Sequence, residues 1–237
     1  MYFFDSRIRY SECDCEGKLT MASLLNYFQD CSTFQSEDLG LGMEYMRQID
    51  MVWVVSYWQI VVERYPMIGE RVRIGTAPYE FKRFLGSRNF LMQTEEGEIL
   101  AKANSLWSLL DRRNGRPVSA PARMLEGFVV EERLPMDYAP RKVSMPENGS
   151  LGEKIVIQSQ HLDTNHHVNN GQYVDMAMKY LPEGCKLKQL RVEYRQQAFL
   201  GDVFIPCVAK EREGITVAFL DELEKPYAVI QCTPMEQ

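Results

Sequence analysis

Histidine is scarce in this chain: there are three in 237 residues, and all of them lie between positions 161 and 167. Cysteine is more frequent, at six, but without a C-x-x-C pair. Cys13 and Cys15 are too close for an ordinary disulfide and have no partners at zinc spacing. H-E-x-x-H is also missing. These gaps argue against a metal centre, and six reduced thiols in a cytoplasmic protein are expected. Positive charge is in short supply, with 27 Lys and Arg against 33 Asp and Glu and a net charge of -6. That balance excludes a general nucleic-acid or membrane-surface role and leaves room only for local basic patches. No uncharged apolar run is long enough to span a bilayer. The first dozen residues lack the basic and apolar regions of a signal peptide, so none is expected. What is present is an ordinary globular composition, 45% hydrophobic and 25% charged.

The pattern of the first half is used again in the second. Tyr2–Tyr10 alternates and predicts a strand. Leu24, Phe28 and Cys31 recur at i, i+4, i+7 and predict a helix from about Thr20 to Asp38, ended by Gly40 and Gly42. Strand-like runs follow at Met51–Tyr65, Glu70–Phe81, Ser87–Glu95 and Glu98–Asp111. From Arg116 to Gly149 the texture changes, with five of the eleven prolines. This stretch predicts a connector that crosses the surface and does not form a third core. A strand over Glu153–Leu162 and a helix carrying Tyr173, Ala177 and Tyr180 come next. Strands are then expected at Lys186–Ala198, Asp202–Arg212, Ile215–Leu223 and Pro226–Thr233. Each half therefore reads β-α-β-β-β-β, alike in element order and not residue by residue. A helix with one apolar face is most simply buried by wrapping the sheet around it.

The histidine cluster opens the second helix. Asp163, Asn165 and His167 alternate, and in an extended segment such positions share a face. Asn169 and Asn170 are good helix-capping residues. The pattern predicts an acid, an amide and an imidazole delivered to a helix N-terminus, whose partial positive charge suits a developing oxyanion. These parts fit acyl transfer or hydrolysis of an activated ester. The plainer reading makes Asp163 a turn residue and Asn169 a cap, with His161 and His166 as surface or packing residues.

The run from Asp163 to Asn170, Asp-Thr-Asn-His-His-Val-Asn-Asn, followed by Tyr173, resembles the D-x-N-x-H-V-N-N signature of the acyl-acyl-carrier-protein thioesterases. The likeness extends through Ser11–Leu19, Asn26–Ser32, Leu39–Gly42, Trp53–Val55, Phe84–Arg88, Ser105–Val118 and Val192–Arg195. It implies an α+β fold of two tandem hotdog domains, each a long helix wrapped by an antiparallel sheet. The expected division is a non-catalytic domain over 1–118, a connector over 119–149 and a catalytic domain over 150–237. The activity implied is hydrolysis of the thioester of a fatty acyl chain on its carrier protein, without metal or dissociable cofactor. By the motif, Asp163, Asn165 and His167 correspond to the catalytic acid, amide and imidazole, with Asp163 either nucleophile or general base. Asn169 and Asn170 would contact substrate, and Leu24, Phe28 and Trp53 would line or wall an acyl tunnel. The plant members carry Glu-Cys after Tyr-Arg-Arg. Gln197 and Ala198 stand there in this chain, which disfavours a Cys–His mechanism and leaves Gln197 as a fourth site member able to hydrogen-bond but not to take a proton. The expected partner is an acidic acyl carrier protein, docking on a basic patch chosen from Lys82, Arg83 and Arg88; Arg112, Arg113 and Arg116; or Lys186, Lys188, Arg191 and Arg195. Rival readings are an acyl-CoA thioesterase of the same fold, a hotdog dehydratase and a non-catalytic acyl-binding module. A monomer or homodimer is expected.

Overall fold

The computed structural model describes residues 1–235. The chain forms two compact units, Met1–Tyr138 and the remainder from Ala139. In the first, β1 (Tyr2–Arg7) precedes α1 (Met21–Asp38), α2 (Met43–Gln48), β2 (Met51–Val62), β3 (Arg71–Lys82), β4 (Leu85–Thr94) and β5 (Ile99–Asp111). Its strands run in the order β1-β3-β4-β5-β2, every neighbouring pair antiparallel. The Thr20 hydroxyl accepts from the Ser23 amide at 3.2 Å and starts α1. Gly40, at φ +65°, ends it: its amide reaches the Glu37 carbonyl and the Leu41 amide returns to Ser36. Gly42 belongs to the next element, as the residue preceding α2. One face of α1 places Leu24, Leu25 and Phe28 at 1% exposure or less. Phe28 stacks on Trp58 of β2 at 6.4 Å and tilts against Phe90 of β4 at 5.4 Å. Burying each such side chain contributes roughly 1.5–3 kcal/mol, far more than helix propensity does.

The proline-rich connector is exposed over most of its length but is anchored at several points. It holds a short helix α3 (Ala122–Gly127), and Met124 and Phe128 enter a cluster with Leu41, Met46 and Leu109. Residues 131–138 form a strap tied to the sheet's buried polar side chains. Asn89 Oδ1 accepts from the Leu134 amide at 3.1 Å and from the Tyr138 hydroxyl at 2.9 Å. The Gln59 amide donates to the Asp137 carbonyl at 2.7 Å, and Arg133 lies over the rings of Tyr79 and Tyr138. Proline removes backbone donors but does not prevent such side-chain anchoring, and it sits well in extended straps.

In the second unit the expected strand over 153–162 is reduced to β7 (Ile155–Val156), preceded by β6 (Ser150–Leu151), and both are antiparallel to β9 (Val203–Glu211). Residues 159–161 then make a single tight turn before the cluster. The helix α4 (Asn170–Met178) is followed by β8 (Leu187–Tyr194), β9 (Val203–Glu211), β10 (Gly214–Leu220) and β11 (Pro226–Pro234). Strand order is β8-β11-β10-β9-β6, antiparallel throughout. Tyr173 fastens α4 to the sheet, with ring centroids 5.3 Å from Tyr194, 5.2 Å from Phe204 and 6.3 Å from Phe219. Both units are hotdog domains, helix against antiparallel sheet, and the fold is α+β as the resemblance implied.

Candidate active site

Asp163, Asn165 and His167 do not share the face of an extended segment. Leu162 and Val168 pair as a β-bridge, and the chain between them folds into a tight loop. The Asp163 carboxylate makes that loop. Its Oδ1 accepts from the Asn165 amide at 2.7 Å and the His167 amide at 3.2 Å. The Asp163 amide donates to the His167 carbonyl at 2.7 Å. His166 sits at φ +61°, a left-handed conformation uncommon outside glycine and reached most readily by asparagine, aspartate and histidine. The expected alternation therefore fails because a short acceptor side chain captures backbone amides two and four residues ahead, which curls the chain. Proximity survives the change: Asp163, Asn165 and His167 are all half-buried on one loop, with His166 exposed. His161 turns back on its own turn, where Nδ1 accepts from the Gln158 amide at 3.1 Å.

The first unit holds the same loop with different side chains. Asp14 Oδ1 accepts from the Glu16 amide at 2.9 Å and the Lys18 amide at 3.0 Å. Its own amide donates to the Lys18 carbonyl, and Cys13 bridges Leu19. Gly17, at φ +75°, occupies the place of His166. The turn that backs each loop is repeated as well. The Leu19 amide donates to Pro66 as that of Val168 does to Ala198, each at 2.9 Å. Met67 and Phe199 then follow, their amides capped by Glu70 at 2.9 Å and Asp202 at 2.8 Å. Gly69 and Gly201 take φ +80° and +88° in these turns. The repeat is thus a correspondence of backbone hydrogen bonds, which element order alone did not reveal. The loop therefore belongs to the fold, and the two units differ there in side chains: Asn165 against Glu16, His167 against Lys18, Phe199 against Met67.

Asn169 caps α4, its Oδ1 accepting from the Gly171 amide at 2.8 Å, while the Gln172 amide donates to the Asn169 carbonyl. Two donors of the helix start are therefore taken up by the cap. The Asn170 carbonyl accepts from the Tyr194 hydroxyl at 2.9 Å. Gln197 is not on a strand: β8 ends at Tyr194, and the Arg195 and Gln196 amides both turn to the Tyr227 carbonyl. Gln197 is exposed beside Ala198, whose carbonyl holds the loop at Val168. Sequence reasoning missed Phe199, whose ring meets that of His167 edge to face at 4.9 Å and 85°. Its signal was the Gly201–Asp202 turn pattern mirroring Gly69–Glu70. Leu24 and Phe28 lie in the α1 core, whereas Trp53 packs with Phe81 against the Met124 and Phe128 cluster.

Several titratable groups of the second unit are unsuited to proton or thiolate chemistry. Burial, then Tyr227, Asp202 and Asp163, push the Tyr173 hydroxyl well above its usual range, and burial does the same to Tyr194. Burial also raises the thiols of Cys185 and Cys207, and that of Cys232 to about 12. A thiol held protonated is a poor nucleophile. All six cysteines are free. Among the described residues no group of three or more His, Cys, Asp or Glu could hold a metal ion, and no helix is long and apolar enough to cross a membrane.

Comparison with known proteins fits this geometry. Residues 2–128 match the model of the acyl-ACP thioesterase N-terminal domain, and residues 146–231 that of the C-terminal domain. A chloroplastic acyl-[acyl-carrier-protein] hydrolase of Cuphea viscosissima is 28% identical over 206 residues, 80% of this chain and 50% of its own. A chloroplastic dodecanoyl-[acyl-carrier-protein] hydrolase of Cinnamomum camphora is 24% identical, covering 83% of this chain and 56% of its own. This chain spans about half the length of the curated relatives it matches. In fold, an acyl-ACP thioesterase from Bacteroides thetaiotaomicron superposes with a TM-score of 0.89 at 18% identity, covering 98% of this chain and 97% of its own. The 12:0-ACP thioesterase of Umbellularia californica gives 0.88 at 20%, covering 100% and 97%. With both domain models matched in order along one chain, the protein belongs to the acyl-ACP thioesterase family.

Proposed function

We propose that this chain hydrolyses the thioester of a fatty acyl group on acyl carrier protein, releasing a free fatty acid in fatty acid biosynthesis, with the second unit as the catalytic one. The observation that carries the reading is the divergence of one shared loop: the same backbone bears Glu16 and Lys18 in the first unit but Asn165 and His167 in the second. An amide and an imidazole placed together suit acyl transfer, since one polarises the carbonyl and the other moves a proton near neutral pH. In this reading His167 takes a proton from water, and the water oxygen bonds to the thioester carbonyl carbon. The Asn165 amide steadies the oxyanion. The C–S bond then breaks, and the proton returned from His167 leaves with the thiol of the carrier's arm. Asp163 has one oxygen engaged by two amides, which reduces its nucleophilicity, so its part is to hold the loop. Gln197 hydrogen-bonds the attacking water, and Asn169 and Asn170 fix the helix start against which substrate lies. Leu24 and Phe28 of α1, with Trp53, are the proposed acyl-tunnel residues of the first unit. Each buried methylene adds about 0.8 kcal/mol to binding. The reaction needs no cofactor, and the cytoplasm is the proposed compartment.

The carrier's docking surface is proposed at the arginine turn after β5. Arg88 is buried at 8% exposure between Gln35, Thr76 and the ring of Phe128, so it is withdrawn from the basic candidates. Arg191 and Arg195 donate to the carbonyls of Pro140 and Val143, and Arg195 pairs with Glu193. Lys82 pairs with Glu80, which leaves Arg83, Lys186 and Lys188 as alternatives to Arg112, Arg113 and Arg116, the three that lie together, exposed on the turn after β5, with Arg113 reaching Asp50. Reversal of Arg112 and Arg113 to Glu is expected to raise KM for the carrier-bound substrate about tenfold, as loss of rim charges does, and to leave a short pantetheine thioester unaffected. Equal effects on the two substrates would refute docking there. The reading as a whole is tested with a graded series of acyl-carrier thioesters beside matched acyl-CoA thioesters. Preference for the carrier series supports it, and preference for CoA moves the chain to the acyl-CoA hydrolases.

A further inference from the structure

Phe199 is a large aromatic side chain left 48% exposed at the tip of a turn. It fills no core, yet the turn that presents it is fastened at several points. The Ala198 carbonyl accepts from the Val168 amide at 2.9 Å, which joins the turn to the catalytic loop. Asp202 Oδ2 accepts from the Phe199 amide at 2.8 Å, and the Asp202 amide returns to the Phe199 carbonyl at 3.1 Å. On the other side Ile157 exchanges backbone hydrogen bonds with Gly201 and Asp202 at 3.0 and 2.8 Å. The first unit has this turn in the same form, with Met67 at the place of Phe199 and Lys18 at the place of His167. The turn therefore exists for the fold. The aromatic ring on it, meeting an imidazole, occurs only where the loop carries histidine.

We propose that Phe199 is a positioning residue for His167, its ring holding the imidazole in the orientation that serves the thioester. The physical need is clear. His167 stands on a half-buried loop with its ring against that of Phe199, and the orientation of an imidazole decides which atom its nitrogens reach. Edge-to-face contact between rings favours one orientation over its alternatives, and a proton carrier acts only from hydrogen-bonding distance of its target. Phe199 itself touches neither the thioester nor the moving proton, so its influence falls on kcat and not on substrate binding. This inference rests on the hydrolase reading given above.

The test compares Phe199→Ala, Phe199→Leu, Phe199→Tyr and the wild type, by steady-state hydrolysis of an acyl-carrier thioester and by proton NMR of the His167 ring. Loss of the ring in the Ala and Leu variants is expected to lower kcat about three- to tenfold, the range that a ring–ring contact supplies, with KM within about twofold. Phe199→Tyr restores kcat, because the ring and not apolar bulk is required. The His167 ring resonances move in the Ala and Leu variants and stay near their wild-type positions in Phe199→Tyr. Unchanged kcat, or His167 resonances that ignore all three substitutions, would overturn the proposal. A wild type that releases no thiol would instead overturn the hydrolase reading, and the NMR arm separates the two failures. The substituted side chain is half exposed, so melting temperatures close to wild type are expected and exclude unfolding as the cause.

Discussion

Replacing His167 by alanine is expected to lower kcat/KM for an acyl-carrier thioester by about 10²–10⁴-fold, the usual yield of general acid–base catalysis. Acyl binding and the melting temperature should stay close to those of the wild type. The grounds for an intact fold are local. The loop is held by the backbone amides and carbonyl of residue 167 and by the Asp163 carboxylate, none of which the substitution removes. The phenols of Tyr173 and Tyr194 are held protonated by burial and cannot take over. Steady-state release of free thiol checks the prediction. A variant that still hydrolyses at a tenth of the wild-type rate or better would remove His167 from the chemistry, and one that no longer binds acyl chains would mean that the imidazole serves packing.

The second large effect separates two roles for Asp163. Asp163→Ala deletes an acceptor bonded to two amides, so the loop loosens and both Asn165 and His167 lose their places. Misplacement of about 1 Å costs on the order of 10² in rate, and stability should fall by about 1–3 kcal/mol as the amides lose their acceptor. Asp163→Asn keeps an acceptor oxygen at the same position and should retain activity within about tenfold, because the loop survives. Asp14→Ala supplies the control. It breaks the equivalent bonds from Glu16 and Lys18, so it should cost similar stability while turnover is kept. If Asp163 were the attacking nucleophile, the Asn variant would be as inactive as the Ala variant. Thermal melts and initial rates for the three proteins together decide between them.

How far the chain could be read from its residues follows from the range of the interactions involved. The bounds of α1 were legible because its signals are local: threonine before the first turn, apolar residues at helical spacing, and Gly40 after the last. The strands of the first unit were legible for the same reason, being long and alternating. The loop at 163–167 was not. Its period-2 polar pattern reads as extended, and only the capture of two amides by Asp163 curls it. A clue was available in the first half, where aligning Asp14 with Asp163 sets Gly17 opposite His166 and marks a left-handed position. The anchoring of the connector is hidden by its proline content, although Met124 and Phe128 stand at helical spacing. Arg88 was read as surface because charge usually is; its burial depends on Gln35, Thr76 and Phe128, three residues distant in sequence. Phe199 is hidden because residues 186–198 read as one strand, which leaves the turn after it without a role.

One measurement reaches the central claim with the fold held constant. The double variant Asn165→Glu/His167→Lys gives the second loop the side chains that the first loop already carries on the same backbone. Thiol release from an acyl-carrier thioester is then followed for this variant and for the wild type, alongside their melting curves. The account predicts a variant that melts like the wild type and releases thiol only at the background rate, while the wild type turns over. Equal rates from the two proteins, or no release from the wild type with any acyl chain, would contradict it.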